Sequence, residues 1–89
     1  MRTISIRVYG KVQGVFFRKY TVMAAEKNGI CGFVRNSEDG SVHIEASANE
    51  SAIEKFIVWC HQGSLFSKVE KVEVTELQQT EYTGFVVRY

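Results

Sequence analysis

Hydrophobic and polar positions alternate along the start of the chain. Ile4, Ile6 and Val8 fall on one side of an extended backbone, with Ser5, Arg7 and Tyr9 on the other, the period of two that marks a strand over residues 3–9 with one buried face. From Phe17 to Asn28 the period lengthens. Phe16 or Phe17, Tyr20, Met23, Ala24 and Lys27 recur at helical spacing, which predicts an amphipathic helix with this stripe inward and the Lys27 stem laid on apolar surface. Asn28-Gly29 supplies a left-handed stop. Residues 30–36 read as a second strand, Ser37-Glu38-Asp39-Gly40 as a turn, and residues 41–48 as a third strand. Asp-Gly is a strong hairpin signal, so strands two and three form an antiparallel pair. In the third strand Val42, Ile44, Ala46 and Ala48 oppose His43, Glu45 and Ser47, which puts His43 on the exposed face.

Asn49 is a good N-cap for a second helix. Its buried stripe is Ile53, Phe56, Ile57 and Cys60, with Trp59 beside it and partly buried, and Gly63 ends it. Ser64–Lys68 is a loop. Val69–Thr75 is a fourth strand whose Glu70, Lys71 and Glu73 suit a solvated edge. A polar connection from Leu77 to Gly84 leads into a short terminal strand, Phe85–Tyr89. The order β-α-β-β-α-β plus a short C-terminal strand is the split-βαβ, ferredoxin-like arrangement of an α+β protein. It places two helices on one face of a mainly antiparallel sheet. A chain of 89 residues makes one such domain, covering 1–89.

Charge narrows the partners. The formal net charge is +1, so nothing here resembles the basic footprint of a nucleic-acid or anionic-membrane protein, and any anion recognition must be local. No apolar run approaches membrane-spanning length, and the N-terminus enters strand alternation at once, without a secretory apolar region. The cytoplasm is the expected location. Cys31 and Cys60 fall on different elements without metal-ligand spacing and read as free thiols, although the sequence also permits a disulfide between them.

The candidate chemistry lies in the loop Gly10-Lys11-Val12-Gln13-Gly14-Val15-Phe16-Phe17-Arg18. Its two glycines fall where a strand must turn into a helix, and Arg18 then arrives in the first helical turn. Helix N-termini expose unpaired N–H groups and carry positive partial charge, so a cation there makes sense when an anion lies between them. Asn36 ends the second strand, and in a split-βαβ fold that end can share a sheet edge with the first loop. An arginine fork binds two phosphate oxygens at once, and an asparagine amide can hold a water without titrating. Together they describe a site that fixes a phosphoryl group and lines up a water behind it. The same residues also read as a tight connection, a turn residue and a surface charge. No Gly-Lys-Ser or Gly-Lys-Thr makes this a nucleotide loop. His43 and His61 have no metal partners at ligand spacing, and no local motif joins a nucleophile to a base.

Gly10 to Arg18 resembles the first signature of the acylphosphatases, and Gly32-Phe33-Val34-Arg35-Asn36-Ser37-Glu38-Asp39-Gly40-Ser41-Val42 resembles their second. The two follow each other at the family's separation, and the length, element order and terminal Phe85-Val86-Val87-Arg88-Tyr89 are similar too. The resemblance implies hydrolysis of the carboxyl-phosphate bond of acyl phosphates without metal or cofactor. It implies that Arg18 binds the phosphate, that Asn36 orients the attacking water, and that backbone amides of Val12, Gln13, Gly14, Val15, Phe16, Phe17 and Arg18 complete the cradle. The C-terminal carboxylate of Tyr89 is a candidate to orient Arg18. Ala48 replaces a family glycine, with a local packing change expected, and Gly63-Ser64 replaces a common Gly-Pro, which should loosen that loop. A monomer acting on a small acyl phosphate, with no nucleic acid or membrane partner, is the resulting expectation. The competing readings are a non-catalytic anion-binding or regulatory module, a carbamoyl-phosphate hydrolase, and, weakest, an RNA-binding domain, because residues 41–48 lack the aromatic and basic stacking motif.

Overall fold

The computed structural model describes residues 1–89. Strand β1 spans Arg2–Lys11, helix α1 Phe17–Lys27, β2 Cys31–Asn36, β3 Val42–Ala48, α2 Glu50–Gln62, β4 Lys68–Leu77 and β5 Phe85–Arg88. The strands form one sheet in the order β4-β1-β3-β2-β5. All pairings are antiparallel except that of β5 with β2. This is the ferredoxin-like arrangement expected from the element order, with β5 added at one edge and the charged β4 forming the other.

The core follows from the alternation. Ile4, Ile6 and Val8 of β1, Val34 of β2, and Val42, Ile44 and Ala46 of β3 are fully buried and face Ile53, Phe56 and Cys60 of α2 and Phe17 and Ala25 of α1. A run of rings joins the layers: Phe17 lies 5.5 Å from Trp59, Trp59 stacks at 6.2 Å on Phe56, and Phe56 meets Phe85 edge-on at 6.0 Å. Such contacts add ~1 kcal/mol each beyond area burial. They pin the start of α1 to α2 and to β5. Ala48 is buried at the end of β3, opposite Arg2 and away from the β1–α1 loop.

Three expectations need correction. The buried stripe of α1 is Phe17, Thr21 and Ala25, whereas Met23 is 54% exposed. Thr21 is accommodated because its hydroxyl donates to the Phe17 carbonyl one turn back. Tyr20, Met23, Ala24 and Lys27 instead line a groove toward Trp59 and Lys55 of α2. The loop after α2 is fastened, since the Ser64 carbonyl accepts from both the backbone N–H and the hydroxyl of Ser67. His43 is on the helix-free face but is largely covered, its side chain 13% exposed. Phe33 meets its ring edge-on, and Ser5 Oγ lies 3.1 Å from Nε2. The connection before β5 brings Tyr82 onto the same face, against Phe33 and with its hydroxyl donating to Glu45. Burial, and then the Glu45 carboxylate, push the Tyr82 phenol up to about 12. Cys31 and Cys60 are both free thiols.

His43 Nδ1 is buried without a partner. Burial first, then the Arg7 and Arg35 charges, lower the imidazole pKa below its ordinary 6.5. The native state therefore takes up a proton less readily than the unfolded chain. Stability is retained above pH 6.5 and lost as the pH falls from there through the lower native value. Denaturant unfolding at pH 7.5 and 5.5 should show a smaller loss between the two pH values for His43→Gln than for the parent. Equal losses would contradict this account.

Candidate active site

The loop between β1 and α1, the end of β2 and the end of β5 meet at one cleft of about 360 Å³. Val12, Gly14, Phe16, Phe17, Arg18, Lys19, Asn36, Val87 and Tyr89 line it. Gly14 turns the chain with φ of +72°, a conformation open to glycine at little cost. The two helices start differently. α2 begins conventionally: the Asn49 side chain accepts from Ala52 N–H, and Glu50 sits in the first turn, a cap worth ~1 kcal/mol. α1 has no side-chain cap and no acidic residue in its first turn, only Arg18 and Lys19. Its N-cap position is Phe16, at φ 58° and ψ 21°, the single non-glycine residue with positive φ. That left-handed conformation costs an L-residue ~1–2 kcal/mol.

The consequence is a run of free donors. The N–H groups of Val12, Gln13, Gly14, Val15, Phe16, Phe17, Arg18 and Lys19 find no acceptor in the protein; the first bonded amide is that of Tyr20, to the Phe16 carbonyl. Unpaired backbone donors are costly wherever water is excluded. A set of them at a helix N-terminus is what an anion requires. Arg18 adds an unpaired guanidinium: it makes no ion pair, and its Cζ lies 5.0 Å from the centroid of the Tyr89 ring. The expected carboxylate contact is thus replaced by a cation–π contact with the exposed Tyr89 side chain.

Asn36 reaches the same cleft from β2. Its Oδ1 is buried and accepts no hydrogen bond from the protein. Buried polar atoms are nearly always partnered, so an orphaned acceptor in a cleft points to a donor from outside the chain. Asn36 is held from behind. Its strand leads into the turn at 37–41, where Arg7 Nη1 donates to the hydroxyls of Ser37 and Ser41, at 2.9 and 3.2 Å. Ser41 in turn donates through N–H and hydroxyl to Asp39 and holds that carboxyl below its usual range. Gln13 closes the connection: its Nε2 donates to the Ser37 and Ser41 carbonyls, both at 2.8 Å. One amide side chain thereby clamps the loop carrying the free N–H groups to the turn carrying Asn36. Neither this clamp nor the left-handed backbone of Phe16 is visible in the sequence, where Gln13 stands only as a backbone donor and Phe16 as a donor and a possible member of the helical stripe. No periodicity reports a contact between residues 24 and 28 positions apart.

No Asp, Glu, His, Cys, Ser or Thr side chain lines the cleft, so the arrangement can bind and orient but offers no evident side-chain base or covalent nucleophile. A ferredoxin-like domain with an amide-lined cleft, a free guanidinium and an orphaned amide oxygen has the groups that suit an oxyanion. Known proteins make the class specific. The acylphosphatase family matches residues 4–87. An acylphosphatase of Shewanella amazonensis is 46% identical over 88 residues, 98% of this chain and 97% of that one. One from Oceanobacillus iheyensis is 45% identical over the whole of both chains. The crystal structure of acylphosphatase from Bacillus subtilis superposes with a TM-score of 0.96 at 40% identity, each chain covered completely. The chain belongs to the acylphosphatase family, and its reaction is hydrolysis of acyl phosphates.

Removing the clamp should loosen both segments together. Gln13→Met should cost ~1–2 kcal/mol of stability, speed exchange of the bonded amides of Ser37, Gly40 and Ser41, and lower the backbone order parameters of residues 12–18. A change in only one of the two segments would contradict a clamp.

Proposed function

We propose that the loop amides from Val12 to Arg18, with the Arg18 fork, hold the phosphoryl oxygens of an acyl phosphate, while Asn36 Oδ1 accepts a hydrogen from the water that attacks phosphorus in line. The single observation that carries this reading is the meeting, in one cleft, of a run of unpaired N–H donors with a buried acceptor that has no partner. Donors suit phosphoryl oxygens and an acceptor suits water; neither role can be exchanged for the other.

The chemistry asks little more. An acyl phosphate is a mixed anhydride, and its carboxylate leaves without protonation. Phosphoryl transfer spreads negative charge over the equatorial oxygens, so catalysis is mostly positioning and charge stabilisation. Water forms the new P–O bond as the bond between phosphorus and the acyl oxygen breaks, and the electron pair departs with the carboxylate. The attacking water's proton passes to a phosphoryl oxygen of the substrate, since no Asp, Glu or His side chain lines the cleft to take it. No phosphoenzyme forms. The chain works as a monomer in the cytoplasm on a small acyl phosphate, without nucleic acid. This is consistent with its near-neutral charge, its free thiols and the lack of any helix long and apolar enough to cross a membrane.

Arg18→Ala should weaken inorganic phosphate binding and lower kcat/KM by ~10³-fold or more, the scale of a charged clamp on a transferring phosphoryl group. Asn36→Ala should keep phosphate binding within a few-fold and still lose ~10²–10³-fold in kcat. Benzoyl phosphate turnover and phosphate titrations measure both. Parent-like kcat in Asn36→Ala would sink the water-holding role. A phosphomonoester offered in parallel should release no phosphate, because its alkoxide is a far poorer leaving group.

A further inference from the structure

The phosphoryl group and the attacking water engage only the polar atoms of the cleft, and its apolar part is left idle. Phe16, Val87 and Tyr89 line the same cleft as Arg18 and Asn36. Of these, Phe16 is hardest to explain by stability. It occupies a left-handed conformation that glycine would adopt freely, and every other residue with positive φ in the chain is a glycine. It sits at an N-cap position where Ser, Thr, Asp or Asn would form a bond, and it forms none. Its ring gains little in return, being 70% exposed and outside the run of stacked rings that holds its neighbour Phe17, which is 1% exposed. A strained backbone, a missing cap and an uncovered ring at one residue point to a ligand rather than to folding.

Its place in the chain says which part of the ligand. The Phe16 amide belongs to the run of free donors, so the side chain starts at the edge of the phosphoryl site. What adjoins the phosphoryl group of an acyl phosphate is the acyl group. We propose that Phe16, with Val87 and the Tyr89 ring, forms an acyl-group subsite that makes this enzyme favour acyl phosphates with an aromatic or extended apolar acyl group over those with a very small one. This rests on the acyl phosphate reading of the cleft and adds the substrate class.

Benzoyl phosphate and acetyl phosphate separate the two claims. Their carboxylates leave with similar ease, and whatever intrinsic difference remains is the same for every variant. The ratio of kcat/KM for benzoyl over acetyl phosphate therefore isolates the contact. A hydrophobic contact of this size discriminates ~10-fold or more. The parent and Phe16→Tyr should share a high ratio, whereas Phe16→Ala and Phe16→Gly should both lose about tenfold of it, chiefly through KM for benzoyl phosphate. Phe16→Gly, which also relieves the backbone strain, should unfold at a higher denaturant concentration than Phe16→Ala. A ratio unchanged in both Phe16→Ala and Phe16→Gly would overturn the subsite, even if both variants are slower, because loop distortion lowers both substrates alike. A parent that releases phosphate from neither substrate would overturn the acyl phosphate reading itself.

Discussion

The hydrogen-bonding capacity of the first turn of α1 has no outlet within the protein, and the surrounding structure keeps it that way. The amides from Val12 to Lys19 lack acceptors, the helix lacks a side-chain cap, and the two residues that would ordinarily be acidic there are Arg18 and Lys19. Each of these is a local cost. α2 shows what the same fold does when a helix start has only to be stable: Asn49 caps it and Glu50 neutralises it. The two helix starts differ in capping and charge, and the proposed phosphoryl site accounts for that difference.

Rigid support makes that cost tolerable. Phe17 is held in the run of rings with Trp59, Phe56 and Phe85, so the helix begins at a fixed point over the sheet. Gln13 and Arg7 hold the 37–41 turn from two sides, one through its carbonyls and the other through its hydroxyls. The donor loop and Asn36 belong to elements distant in sequence, and these few bonds set their spacing. A reaction that depends on positioning more than on proton transfer needs this precision of placement.

Local signals carried far into the sequence. The alternation of β1 and β3, the Asp39-Gly40 turn, the Asn49 cap and the buried stripe of α2 all follow from nearest-neighbour rules, and together they specify the element order. The two signature stretches marked Arg18 and Asn36 before any coordinate. What stayed hidden depends on tertiary contacts. The inward stripe of α1 is Phe17, Thr21 and Ala25 because Phe17 is anchored against Trp59 and the Thr21 hydroxyl is satisfied within the helix, which leaves Met23 in the open. His43 is covered because Phe33, Ser5 and Glu45 gather around it from neighbouring strands, contacts that no periodicity reports. Tyr89 meets Arg18 through its ring, an option that the expected pairing with a carboxylate had obscured. The left-handed backbone of Phe16 is invisible to any pattern that expects glycine at such places.

The most direct test of the free-amide cradle is a titration with inorganic phosphate followed through backbone amide resonances. The account expects the largest downfield shifts at N–H groups between Val12 and Lys19, with a smaller response at Asn36. Largest shifts at the start of α2, around Ser51 and Ala52, or on the helix-free face of the sheet near Arg35 and His43, would contradict it.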